Sequence, residues 1–163
     1  MSRQLADIER VLEVLRATPA QLAALAEGVS DEQLWKAPSA GEWSATEVLA
    51  HLCACADVWG DSVALITGED RPTIRAVNPG SWIDSTNYPT LEFRPSLRAF
   101  TKQRVALMSL LDSLPPAGWS RTAIVTGAGA PLERTVHSYM DRMARHERPH
   151  IGQIARAIAG SVS

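Results

Sequence analysis

Three histidines, His51, His146 and His150, have the residue type and the spacing to hold a divalent metal ion. His146 and His150 are four residues apart in Arg145-His146-Glu147-Arg148-Pro149-His150. On a helix that interval is close to one turn, so both imidazoles leave the same face. His51 stands nearly a hundred residues earlier, on another helix-like segment. If the two segments pack together, three neutral ring nitrogens meet at one point. Three histidines with one coordination position open to water or substrate is a common arrangement of a catalytic zinc or similar metal.

A histidine inside a protein is also often a hydrogen-bonded core residue, and an H-x-x-x-H pair alone leaves that reading open. Angular position favours the metal. Met143 and His150 are seven residues apart and differ by about 20° around a helix, and His146 lies about 60° from Met143. Both histidines therefore border the apolar stripe Val136, Met140, Met143, Ile154 and Ile158. Burying two imidazoles without partners is costly, and a metal supplies a partner. His137 lies nine residues before His146, about 180° away, and is excluded. His146-Glu147-Arg148-Pro149-His150 also has the literal H-E-x-x-H form, in which the glutamate is the general base of a zinc peptidase. Pro149 interrupts that motif and the candidate third ligand lies upstream, so the peptidase reading is disfavoured.

Four long segments must position these residues. Leu5, Ile8, Leu12, Leu15, Leu22 and Leu25 give residues 2–27 a helical period, with Pro19 as a candidate kink or break and Gly28 as the stop. Ser30-Asp31-Glu32-Gln33 and Ser44-Ala45-Thr46-Glu47 have the form of capping boxes. The second opens a helix with Val48, Leu52, Cys55, Trp59, Val63 and Ile66 on its apolar face and His51 at the border of that face. Residues 69–93 contain Pro72, Pro79, Gly80 and Pro89 and do not read as helix. A connection of this length spans a bundle end to end and is often functional. A third helix runs from about Pro95 to Leu114, where Pro115-Pro116 ends it. A brief extended piece at 121–125 and a turn at Gly127-Ala128-Gly129 precede a fourth helix, which starts between Leu132 and Thr135 and reaches Ala159. A kink is expected at Pro149, whose nitrogen cannot bond the Arg145 carbonyl. Four amphipathic segments with little strand signal predict an all-α fold, a four-helix bundle, as a single domain over residues 1–163.

Composition narrows the function classes. An apolar fraction of 45% and a charged fraction of 21% fit an ordinary globular domain. A net charge of −2 gives no electrostatic footprint for nucleic acid. No apolar run approaches ~18 residues and the N-terminus lacks the apolar block of a signal peptide, so no membrane partner and a cytoplasmic location are expected. Cys53 and Cys55, two apart, point about 200° from each other on a helix. They read as reduced, core-filling residues; the C-x-C lacks the second pair of a structural zinc site.

Gly41-Glu42-Trp43-Ser44-Ala45-Thr46-Glu47-Val48-Leu49-Ala50-His51-Leu52 resembles the second-helix motif of the DinB-like (YfiT-like) family. His146-Glu147-Arg148-Pro149-His150-Ile151-Gly152-Gln153-Ile154 resembles its last-helix H-x-x-x-H-x-x-Q motif. With helix order and length, the resemblance covers nearly the whole chain. It implies a four-helix bundle of up-down-down-up connectivity, often a homodimer, with His51, His146 and His150 as the ligands of nickel, zinc or a similar ion. It also implies thiol chemistry: characterised relatives include thiol-S-transferases using bacillithiol or mycothiol and a mycothiol-dependent isomerase. The expected function is thus a metal-dependent transferase acting on a small molecule with a low-molecular-weight thiol. The alternatives are a metal-dependent hydrolase and a non-catalytic metal-binding or sensing protein. Arg75, Trp82 and Tyr88, on the long connection, are candidates for the mouth of the site.

Overall fold

Local chemistry sets where the helices begin. The chain, whose computed structural model describes residues 2–162, forms α1 (Arg3–Ala26), α2 (Asp31–Trp35), α3 (Ala45–Gly68), α4 (Pro79–Trp82), α5 (Phe93–Asp112) and α6 (Val136–Ser161). Full capping boxes start α2 at Ser30 and Gln33, α3 at Ser44 and Glu47, and α6 at Thr135 and Ser138. Each pairs two otherwise unsatisfied backbone N–H groups. The four long helices, α1, α3, α5 and α6, form the bundle.

Side-chain contacts fix the direction of each helix. Cys53 meets Ser96 and Asp57 meets Gln103, so α3 and α5 ascend together and run parallel. Trp59 meets Arg142 while His51 meets His146, so α3 and α6 are antiparallel. Arg94 bonds the Ala26 carbonyl and Arg104 the Leu15 carbonyl, so α1 and α5 are antiparallel. The connectivity is therefore up-down-down-up. The parallel α3–α5 pair requires a connection that crosses the bundle, and residues 69–92 supply it. α3 is long and apolar enough to cross a membrane by length and composition. In the bundle its apolar side chains pack against both α5 and α6.

Two departures from the sequence reading have clear causes. Among the described residues three short strands are present, β1 (Thr73–Arg75), β2 (Thr122–Thr126) and β3 (Leu132–Thr135), in the order β1-β2-β3. Only β2 was legible as an extended piece. β2 and β3 form an antiparallel hairpin whose turn includes Gly127 at φ 85°. β1 joins in parallel from about fifty residues away, and three residues are too few to show a period of two. The connection expected to be non-helical also contains α4 and two 3-10 turns, Ile83–Ser85 and Tyr88–Thr90.

Pro19 neither breaks nor ends α1, which continues to Ala26. Proline removes the bond to the carbonyl four residues back, which belongs to Leu15. That carbonyl instead accepts from Arg104 Nη1 of α5 at 2.7 Å. Arg104 also pairs with Glu147 of α6, and Glu147 Oε2 accepts from Thr18 Oγ1 at 2.8 Å. This polar belt ties three helices at mid-height. On one side lies the cluster of Leu15, Trp59, Val63, Leu111 and Met140, on the other that of Leu22, Leu52, Phe93, Phe100 and Ile154.

The long connection is latched to α3 by one carboxylate. Asp57 Oδ2 accepts from Tyr88 Oη at 2.8 Å and Trp82 Nε1 at 3.4 Å, and Gln103 Nε2 donates to Asp57 as well. Burial, and then the hydrogen bond to Asp57, push the Tyr88 hydroxyl well above its usual range. Asp57→Ala is expected to cost about 1–3 kcal/mol, the usual penalty for orphaned buried donors. Limited proteolysis should then cut within residues 76–92 sooner than in wild type; an unchanged cleavage rate would contradict the latch.

Candidate metal centre

The candidate site is built where α3 and α6 cross. His51 stands two turns into α3, just after its capping box. His146 and His150 stand on adjacent turns of α6, which remains helical through Pro149. The three imidazoles converge by the same atom. His146 Nε2 lies 3.1 Å from His51 Nε2 and 3.1 Å from His150 Nε2. The His51 and His150 ring centroids are 4.9 Å apart. His137, excluded by angle, faces Trp119 at the opposite end of the helix.

Local sequence explains the arrangement. Gly41 takes φ 82°, a conformation that glycine adopts without strain, and the chain turns there into α3. Trp43 follows and places its ring 5.4 Å from that of His51. Trp59 presents an edge to His146 at 5.0 Å, and the Arg142 guanidinium lies over Trp59. His150 Nδ1 is 2.7 Å from Gln153 Oε1. An amide oxygen only accepts, so His150 carries its proton on Nδ1 and turns an unprotonated Nε2 toward the other two rings. The H-x-x-x-H-x-x-Q pattern thereby sets two imidazoles on one face with a glutamine that orients the second. Gln153→Ala is expected to weaken metal binding about 10–100-fold, the range seen when such an orienting partner is lost. Zinc titration calorimetry would read this, and unchanged affinity would remove Gln153 from the role.

The donors fit a divalent ion. Two imidazole nitrogens bound to one tetrahedral zinc at ~2.05 Å are separated by roughly 3.3 Å. The two 3.1 Å separations lie close to that value. His146 Nε2 faces the Nε2 atoms of both other rings and cannot satisfy both fully by hydrogen bonding, whereas an ion beside it would engage lone pairs instead. Burial, followed by the neighbouring His150 and His51, lowers the pKa of His146 to about 4, and burial and His150 lower that of His51. The shifts favour the neutral form of His51 and His146, the protonation state a metal requires.

These shifts give the metal-free protein a signed pH dependence. Well above pH 6.5 His51 and His146 are neutral in the folded and the unfolded chain alike. Below it the unfolded histidines take protons that folded His146 refuses until about pH 4, so stability falls across that window. Thermal unfolding of chelator-treated protein should show the loss, and His146→Asn should make it shallower; equal slopes would refute the assignment.

Glu147, the glutamate of the literal H-E-x-x-H, points away from the histidines. It is 2% exposed and is held by Arg104 and Thr18 in the belt between α1 and α5. Its carboxylate is engaged by Arg104 and Thr18 and makes no hydrogen bond to the histidines, which counts against the peptidase reading. Arg75, Trp82 and Tyr88 do not line the cavity beside His150. Trp82 and Tyr88 are taken by Asp57 on another face of α3, and Arg75 lies in the exposed strand β1. That cavity, of ≈ 410 Å³, is walled instead by Glu42, Trp43, Gln153 and Arg156. Cys55, read from sequence as a core-filling residue, is buried but also reaches the site: its Sγ lies 3.6 Å from His51 Nε2 and 4.0 Å from His146 Nε2. The signal was present, since Cys55 is four residues after His51, the interval that unites His146 and His150. Reading Cys55 against Cys53 alone concealed it.

An up-down-down-up bundle with three histidines converging between its second and last long helices defines a distinct class of helical protein. The chain belongs to the DinB superfamily, whose sequence pattern it matches over residues 14–154. It is 25% identical over 155 residues to a Geobacillus kaustophilus protein named "Putative metal-dependent hydrolase", covering 91% of this chain and 83% of that one. A Geobacillus thermodenitrificans protein of the same name is 25% identical over 154 residues, covering 91% and 82%. Among solved structures, YfiT from Bacillus subtilis, described as "a probable metal-dependent hydrolase with an unusual four-helix bundle topology", superposes with a TM-score of 0.79. It shares 21% identity and covers 96% of this chain and 87% of its own, a likeness of fold.

Proposed function

We propose that this chain is a divalent-metal-dependent enzyme, with zinc or nickel held by His51, His146 and His150, that transfers a low-molecular-weight thiol such as mycothiol or bacillithiol to a small electrophile. The observation that carries the reading is the convergence of three Nε2 atoms beside a polar cavity. His150 belongs both to the triad and to the cavity wall. A bound ion lowers the pKa of a thiol that reaches it and so supplies a nucleophile at neutral pH. The remaining roles fall to the chain. Gln153 holds the His150 tautomer. The rings of Trp43 and Trp59 pack against His51 and His146 and help fix their orientation. Arg156 and Glu42 give the cavity a cation and an anion, which suit the charged and hydroxylated groups of a polar thiol.

A second reading, metal-assisted hydrolysis with water in place of the thiol, draws support from the names of the Geobacillus relatives. One experiment separates the two. Zinc- or nickel-loaded protein is incubated with a chromogenic aryl halide, with and without mycothiol or bacillithiol, and with a panel of ester and amide substrates without thiol. Conjugation that requires both metal and thiol supports the transferase. Metal-dependent cleavage without thiol replaces it with the hydrolase, and inactivity in both arms overturns the catalytic reading.

A further inference from the structure

Cys55 has no part in the chemistry above, yet its sulfur belongs to the same cluster. One ligand atom each from His51, Cys55 and His146 lies within 4.8 Å of the others. Cys55 is 2% exposed, and its Sγ is 3.6 Å from His51 Nε2 and 4.0 Å from His146 Nε2. A thiolate sulfur at ~2.3 Å and an imidazole nitrogen at ~2.05 Å on one tetrahedral ion are separated by roughly 3.6 Å. The Cys55–His51 separation has that value, the Cys55–His146 separation of 4.0 Å is a few tenths of an ångström longer, and the 3.1 Å between His51 and His146 lies close to the nitrogen–nitrogen value. Cys53, two residues earlier, serves as an internal comparison. It faces α5, with its Sγ 3.5 Å from the Ser96 carbonyl oxygen, and takes no part in the cluster.

We propose that Cys55 supplies a thiolate ligand to the ion held by His51 and His146, so that the chain itself fills the inner coordination position. The proposal rests on the metal reading of the histidines. On coordination the S–H bond breaks, the sulfur lone pair binds the metal, and the proton leaves to solvent. Two consequences follow. A soft sulfur donor favours zinc, cobalt or nickel over magnesium or manganese. The Cys55 side is core, packed with Trp59 and Met143, so an incoming thiol or water must enter as an additional ligand from the side of His150 and its cavity.

Cobalt(II) distinguishes this from the underlying reading. The metal-free full chain is titrated with cobalt chloride and followed by absorption. Wild type is expected to bind one equivalent, with visible bands of a low-coordinate cobalt and an intense near-ultraviolet sulfur-to-cobalt charge-transfer band. Cys55→Ser and Cys55→Ala should lose the near-ultraviolet band and keep one equivalent of cobalt with its visible bands, while Cys53→Ser keeps both. Wild type that binds cobalt without a charge-transfer band overturns the Cys55 proposal and leaves the histidine site standing. Wild type that binds no cobalt overturns both, and loss of the band in Cys53→Ser alone reverses the assignment. Circular dichroism of each variant establishes that it is folded.

Discussion

His146→Ala is expected to abolish stoichiometric metal binding while leaving the bundle folded. His146 is the central imidazole of the three, with its Nε2 3.1 Å from the Nε2 of each of the other two histidines. Removing an orienting partner of a ligand costs about 10–100-fold in metal affinity, and removing the ligand itself should exceed that. Calorimetry and metal analysis of purified protein read the loss directly. Thermal unfolding gives a second readout. A metal at 100 times its dissociation constant stabilises a folded protein by about 2.7 kcal/mol. For a chain of this size each kcal/mol raises the midpoint by ~2–4 °C. Zinc should therefore raise the wild-type midpoint by ~5–10 °C and leave that of His146→Ala unmoved. The fold should tolerate the change. His146 Nδ1 is buried without a hydrogen-bond partner, so the substitution removes one unsatisfied group along with the ligand. His137→Ala, on the same helix and far from the cluster, should behave as wild type. Equal zinc stoichiometry in wild type and His146→Ala would end the metal-centre reading.

Glu147→Gln should instead destabilise the whole bundle and spare the metal. Arg104 and Glu147 are each 3% exposed at the side chain and bind one another across α5 and α6. Removing one partner of a buried ion pair leaves the other charge without compensation, at a cost of about 3–5 kcal/mol. Chemical denaturation should show a lower midpoint with an unchanged slope, because the loss lies in stability and not in compactness. Arg104→Met should cost at least as much, since it also strands the Leu15 carbonyl that Pro19 leaves free. The double variant Arg104→Met/Glu147→Met should recover much of the loss, because replacing both charges with apolar groups of similar volume is often close to neutral. Zinc binding should persist in folded Glu147→Gln. If Glu147→Gln instead kept full stability and lost only activity, a catalytic role for this glutamate would return.

The two predictions concern neighbours in one motif, and they show how far sequence could reach. Periodicity and caps were legible because they are local. Ser30 and Ser44 sit beside the residues they cap, and the stripe of α6 repeats over six turns. His146 and His150 could be placed on one face because a helix converts spacing into angle. The motif around His51 and the length of residues 69–93 pointed to a bundle of unusual connectivity before any contact was known.

Tertiary structure decided what spacing cannot encode. Angle alone puts Glu147 beside His146, but only the packed bundle shows its carboxylate held by Arg104 and Thr18. Pro19 reads locally as a helix breaker, and an arginine from another helix removes the penalty. β1 was invisible because its partner, β2, lies about fifty residues further along the chain. The cavity wall came from the turn at Gly41–Trp43 and not from the long connection, because Asp57 draws Trp82 and Tyr88 to another face of α3. Cys55 lies between these cases: its interval from His51 was in the sequence, but its distance from His146 on the other helix was not. The sequence determined which side chains each helix presents to the core, because helical geometry is local. The fold decided which of them meet, because the contacts that close the site, from His51 and Cys55 to His146, join two helices across more than ninety residues of chain.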